Sequence, residues 1–461
     1  MIELLNREHP GYRSKREMWQ RYLDFYVGGE QLRRNAGLYL VRRQKEPNEV
    51  YQERLLRVFY ENYLGSIVDW YAATLFRTEP IISLDGAAEF YSEFLRDADL
   101  EGRSYVEFCR RAFIQALVFQ QSYALIDFPR VTAKAETRAE EDALGKSRAY
   151  LVNYTPIDLI NWKLDERGNF EWVVLRTESA YQPEFLSSEE VLERRWTYYD
   201  KQNFQVYSQT QWRTQKESKP SEAVLVDEGR HGLAELNQVP LVKLEVSDGL
   251  WIANKAALLQ QEHFNKSNAL SWALHMGLFA MPVIYSDREW HQIVGEAYYI
   301  QLGPQDKFGW TEPQGHVYDL AAQNLDRLKD EIYRTCYLMQ QATGREAKNL
   351  TQSAASKQRD SAVTQEVLRA YGDLMKAFMR QTLRLIATAR KDDAVIEVGG
   401  LDQFDVKEFT EELTNAQTLS VLVTGSSTFT REMQKRLALR YLEDSNQEVK
   451  ERVAGEIDNR L

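Results

Sequence analysis

Apolar positions recur at helical spacing through most of the first 130 residues, most clearly in YQERLLRVFYENYLGSIVDWYAATLFRTEP, residues 51–80. There Leu55, Phe59, Asn62, Ile67, Trp70, Tyr71 and Leu75 fall near one stripe, and Pro80 would stop the helix. SYVEFCRRAFIQALVFQQ predicts a second helix, running into a short apolar strand at Tyr123 to Phe128. Residues 131–148 are charged and Ala-rich without a period, and read as a mobile excursion. From 150 to 246 the period becomes two. Ile160, Trp162 and Leu164 alternate before the turn DERGN, and Phe170, Trp172 and Val174 after it, which predicts a hairpin. Trp196 and Tyr198, then Phe204 and Val206, predict another.

Residues 251–279 predict a long helix whose formal charges are Lys255, Glu262 and Lys266, with Ala, Ser and Asn that allow close neighbours. Between 280 and 320, Pro282, Gly295, Gly303, Pro304, Gly309, Pro313 and Gly315 punctuate the chain, as in a small unit of short strands. A return helix is expected from about Gln323 to Gln341, then a polar stretch, TGREAKNLTQSAASK. After it Val363, Val367, Tyr371, Leu374 and Phe378 line one face of another long helix, in which Gly372 would mark a bend. A strand, AVIEVG, precedes an acidic helical tail with a capping box at Ser445 and Glu448. Helical and strand-like blocks segregate along the chain, so the fold class expected is α+β.

At 461 residues, about three structural units are expected. The two cysteines, Cys109 and Cys336, suit a reducing compartment without a disulfide framework. No apolar run approaches the ~20 residues of a membrane span, and the amino terminus lacks a signal-peptide core. A soluble, intracellular protein is expected. A net charge of −11 argues against a simple electrostatic grip on nucleic acid, although Arg33, Arg34, Arg42, Arg43 and Lys45 concentrate positive charge locally.

Catalytic patterns are missing. The six His and two Cys make no zinc spacing, and there is neither a GxSxG elbow nor a GxGxxG after a strand. His263 and His275 lie too far apart on one helix to share an ion. The polar stretch fails as a phosphate loop, since Gly344 stands alone and Lys348 is followed by Asn349. No catalytic residue, metal or cofactor is expected.

The order of elements resembles the portal protein of tailed bacteriophages: wing, stem helix, clip, stem helix, tunnel loop, long wing helix, crown. The local sequence is similar to a prophage portal subgroup once classed only as a domain of unknown function. There, Tyr-x-x-Arg leads into an Asn-containing helix and a Phe-Arg-x-x-Pro ending, which here are Tyr51, Arg54, Asn62, Phe76, Arg77 and Pro80. NQVPLVKL resembles the entry to the stem, and SAASKQRDSAVTQEVLRAYGDLM the start of the long helix. The resemblance covers 51–80 and 236–390 and is weak elsewhere. It implies a wing at 1–250, stem helices at 251–279 and 321–341, and a clip at 280–320. It further implies a tunnel loop, bent wing helix and strand over 342–405, and a crown at 406–461.

The resemblance also implies a homo-oligomeric ring, usually a dodecamer, at one vertex of the virion. Double-stranded DNA would pass through it during packaging and ejection without being read in sequence. Terminase large subunit, head–tail adaptor, major capsid protein and scaffolding protein would be its partners, with assembly in the host cytoplasm. Gly344, Arg345, Glu346, Lys348, Asn349, Thr351, Gln352 and Ser353 would line the channel, where hydroxyl and amide groups touch phosphates briefly. An acidic bore would let DNA slide. Two other readings fit the sequence: an intracellular hydrolase with a dispersed site, and a phage head protein that forms no ring. An enzyme would show a deep pocket with converging titratable groups.

Overall fold

The computed structural model describes all residues except 86–87, 130–144, 146, 186–188, 214–219, 279–280, 286–304, 306, 312–314, 339–353, 403, 405–425, 443–446 and 461. Its N-terminal part is helical: α1 (Ile2–Leu5), α2 (Pro10–Val27), α3 (Gly29–Asn35), α4 (Asn48–Leu56) and α5 (Tyr63–Leu75). Helix α2 starts where the sequence permits, with Pro at its first position and the His9 ring accepting from Gly11 N at 3.0 Å. Inside it, the fully buried Asp24 carboxylate accepts from the Gln20, Gln31 and Asn35 amides and the Tyr39 hydroxyl, which fixes the turn that follows.

The stretch 51–80 is two helices, where its stripe predicts one. Residues 57–62 separate α4 from α5, and Asn62 caps α5 by accepting from Gly65 N at 2.8 Å. The Asn62 amide also donates to Tyr26 O at 2.8 Å, so α2 holds the break open from outside. Gly65 is needed there, because a Cβ would lie 2.7 Å from Tyr26 O. Ile67, Tyr71 and Leu75 are buried as expected, while Phe59, on the broken stripe, is exposed.

Arg54 and Glu46 form a buried ion pair at 2.8 Å, both side chains almost inaccessible. Burial opposes ionisation of Glu46, but hydrogen bonds from Arg54 and Arg43 N outweigh it and hold the carboxyl below its ordinary value. Glu46→Gln leaves the Arg54 charge without a counterion and should cost about 3 kcal/mol in urea unfolding. Adding Arg54→Met should restore much of that loss; a doubly substituted chain no more stable than the single variant would refute the account.

Helices α6 (Ala88–Arg96) and α7 (Tyr105–Phe119) follow, and Gln120, in the left-handed region at φ 74°, turns α7 into β2 (Gln121–Asp127). Strand β2 is the centre of a three-stranded antiparallel sheet, between β3 (Tyr150–Tyr154) and β9 (Leu241–Glu245). The period-two block forms an antiparallel meander of β4 (Leu159–Leu164), β5 (Phe170–Tyr181), β6 (Glu190–Asp200), β7 (Asn203–Arg213) and β8 (Val224–Arg230). Both expected hairpins are present in it.

Most of the 131–148 excursion lies outside the described residues. Its return is moored: Arg148 donates to Asp97 O at 2.7 Å, and Arg390 to Ser147 O. Strand β12 (Val395–Gly399) pairs antiparallel with β1 (Ile81–Asp85), which follows α5 in the chain. Two C-terminal helices, α11 (Ser427–Tyr441) and α12 (Gln447–Arg460), are bridged by Lys435 and Asp458 at 2.8 Å. The capping-box Ser445 lies outside the described residues. The chain is an α+β protein, with one large core joining the helices to the three-stranded sheet and a smaller one under the meander.

Candidate functional site

The low-charge segment folds as one helix, α8 (Ile252–Leu278). Its small residues Ala253, Ala256 and Ala257 are buried against the N-terminal helices. Its amides do more than permit close packing. Gln260 accepts from Leu64 N at 3.2 Å and donates to Glu61 O at 2.9 Å. Asn265 accepts from Val41 N at 2.8 Å and donates to Tyr39 O at 3.0 Å, and Asn268 does the same for Phe59 N and O at 3.2 and 3.0 Å. Each side chain supplies an acceptor and a donor to the backbone, Gln260 at the first turn of α5 and Asn265 and Asn268 at the irregular segments around Tyr39–Val41 and Phe59, so N–H and C=O groups outside any ladder are satisfied. These roles were not legible in sequence, because the partners lie about 200 residues away.

Beyond α8, β10 (Met281–Tyr285) and β11 (Lys307–Thr311) pair antiparallel, Met281 opposite Thr311 and Tyr285 opposite Lys307. The return helix, expected at 321–341, is α9 (Gly315–Thr335). It starts earlier because Gly315 opens the helix instead of extending the loop. It stops earlier because Tyr337 takes a left-handed φ of 64° and Leu338 N donates back to Tyr333 O at 2.9 Å. Residues 315–320, assigned to the small unit by sequence, are therefore helical. Helix α9 runs antiparallel to α8, since Lys266 bonds Asn324 at 2.9 Å and Tyr318 bonds Ala273 O at 3.3 Å. Leu328 and Ile332 are buried toward its end, and just past it Cys336 is buried too, which pushes its thiol up to about 12.

The long helix α10 (Ala354–Arg390) follows, 37 residues in one piece. Val367, Tyr371 and Phe378 are buried as expected, and Val363 is exposed. The Thr364 hydroxyl donates to Tyr337 O, so α10 passes the end of α9 about 15 Å after its own start. The sequence-predicted loop residues Gly344, Arg345, Glu346, Lys348, Asn349, Thr351, Gln352 and Ser353 all lie outside the described residues. What the structure fixes is where they leave, at Leu338, and where the chain resumes, at Ala354.

His263 is buried beside the Tyr63 ring, its Nδ1 unpartnered, and burial lowers its pKa. Among the described residues no group of three His, Cys, Asp or Glu could hold a metal ion. No helix among them is long and apolar enough to cross a membrane. A cavity of about 550 Å³ opens between the meander and the three-stranded sheet; it brings Arg195 and Asp227 among tyrosines and threonines, and among the described residues no Ser, Cys or His lines it. A second, of about 340 Å³, lies between α8 and residues 40–57.

No known protein-family model matches the chain, and no curated protein matches it in sequence. A solved structure described as the neck of an empty GTA particle, computed with C6 symmetry, is similar to it. The two share 12% identity and a TM-score of 0.42, over 84% of this chain and 92% of that one.

Proposed function

We propose that this protein is a portal subunit, the repeating unit of a ring through which double-stranded DNA enters and leaves a phage-type particle. The observation that carries the reading is one uninterrupted order. Between the antiparallel helices α8 and α9 stand the paired strands β10 and β11; after α9 come the polar residues 339–353 and then a 37-residue helix. In this reading α8 and α9 are the stem, residues 281–311 the clip that meets terminase and later an adaptor, and 343–353 the tunnel loop. Helices α11 and α12 belong to the crown, and the N-terminal body with the meander is the wing, facing capsid and scaffolding proteins. The chain acts by enclosing and guiding, and the residues proposed for the channel are binding rather than catalytic groups.

The exposed apolar groups along the stem, Leu258, Leu274, Val317 and Leu320, support contacts beyond one chain. Heterologous contacts close into a ring when the rotation permits. Negative-stain microscopy with mass photometry at several salt concentrations should show closed rings with a central opening. A monomer under every condition would overturn the reading. Purified rings should show no nuclease, ATPase or protease turnover; an activity abolished by one point substitution would replace this reading with an enzymatic one.

A further inference from the structure

We propose that His231 is an acid-sensitive latch that fastens the far strands of the meander to the large core. It holds whether or not the chain forms a ring. Residues 231–237 carry the chain from β8 toward β9. His231 opens this segment, 5% exposed, with both ring nitrogens in use. Nδ1 accepts from Leu233 N at 3.2 Å, so the proton of the neutral ring sits on Nε2, which donates to Asp200 O at 3.0 Å. The His231 backbone N–H donates to Gln202 O at 3.2 Å. One residue thus joins the turn between β6 and β7 to the segment leaving β8. Beyond it, Leu233 is fully buried in the large core, and Glu235 pairs with Lys391, the residue after α10, at 2.9 Å.

A second proton does not fit this arrangement. It would enter at Nδ1, the nitrogen that accepts, and there it would face the Leu233 N–H, donor against donor. The groups around the ring do not relieve that conflict. Asp200 meets the ring through its main-chain oxygen, while its carboxylate accepts from Gln202 N and Asn203 N at 2.7 and 2.6 Å. Asp127, on β2, accepts from Phe128 N at 2.9 Å and from the Tyr150 hydroxyl at 3.0 Å. The Tyr199 ring stands edge-on at 6.1 Å, and Arg230, the preceding residue, repels a charged imidazole.

Burial is the largest influence on the ring and holds it below its ordinary value of 6.5, against the opposing pull of the Asp200 carbonyl and of the Asp200 and Asp127 charges. The folded chain therefore binds less proton at His231 than the opened segment does. The latch is closed above the ordinary value and loosens as the pH falls from there through the lower, folded value. The Glu235–Lys391 pair does not follow it, because Lys391 holds the Glu235 carboxyl below its ordinary range.

Hydrogen exchange of the full chain from about pH 7.5 to about pH 5 tests this, each amide rate being corrected for its own intrinsic pH dependence. In the wild type, protection over residues 231–237 should fall by up to about 10-fold per pH unit below the ordinary histidine value, the slope for one proton taken up on opening. An asparagine accepts from the N–H two residues on without titrating, so His231→Asn should hold protection constant to within ~3-fold over the same range. Exchange of the ring's own C2–H should place the His231 titration below 6.5. Wild-type protection that does not change with pH, a His231→Asn chain that loses it in parallel, or a ring titrating at or above its ordinary value would each overturn the latch. The two wild-type measurements decide the matter even if the variant does not fold.

Discussion

Gly372→Ala should lower the stability of the protein, although in an exposed helix the same change would raise it by about 1 kcal/mol. An alanine Cβ at this position would lie 2.2 Å from the carbonyl oxygen of Leu401 and 3.3 Å from its carbonyl carbon. Both are backbone atoms, so no side-chain rotation relieves the contact. The opposing segment has little room to retreat. Leu401 is itself buried, with φ 57°, it follows Gly400 at φ 78°, and β12 just before it is pinned to β1. On the helix side, Tyr371 and Met375 are fully buried beside the glycine. Forcing a methyl group into such packing typically costs about 1–3 kcal/mol, which offsets the propensity gain and leaves a net loss of up to roughly 2 kcal/mol. Gly372→Leu should cost more still. Urea denaturation of the two variants measures this directly, and an alanine variant more stable than wild type would mean that residues 399–402 yield freely.

That glycine also shows where sequence reasoning stops. A glycine inside a helical stripe announces a cost, and a bend is its local explanation; the reason here is the close approach of a carbonyl 29 residues downstream. The break at 57–62 is similar. Asn62 is a good capping residue by type, but whether it caps depends on Tyr26 O, which a local stripe does not contain. The meander was legible because period two survives substitution of individual residues, yet even there Leu164 is exposed, and a bulge between Leu159 and Asn161 shifts the alternation. On α8 the sequence shows small and polar residue types, but their work as backbone clamps depends on segments about 200 residues away. A glycine after Pro313 signals a loop, yet Gly315 opens α9, so local punctuation sets the helix start too late; the apolar face of α10 marks that helix without such help. The candidate site is legible as an order of elements, and its loop residues as composition.

Changing Asn349, Thr351 and Gln352 together to leucine should cripple DNA packaging, or let packaged DNA leak, while rings assemble normally. The expectation follows from the proposed channel and from where the chain leaves and resumes. The end of α9 is fixed by the left-handed turn at Tyr337 and the Thr364 bond, so substitutions after Leu338 should leave the stem intact. If residues 343–353 face the bore, every copy adds the same side chains at its narrowest part. Polar groups there exchange hydrogen bonds with water and phosphate oxygens at little net cost. Three leucines per copy would remove those bonds and favour collapse of neighbouring loops onto one another. Single changes should matter far less. Arg345→Ala or Lys348→Ala deletes one exposed charge per copy, and such contacts are individually worth about 0–1 kcal/mol. Packaged DNA per particle and ring yield can be measured on the same preparations. Loss of rings in the single variants would make the loop a contact between copies, and normal DNA retention with the triple change would remove it from the channel.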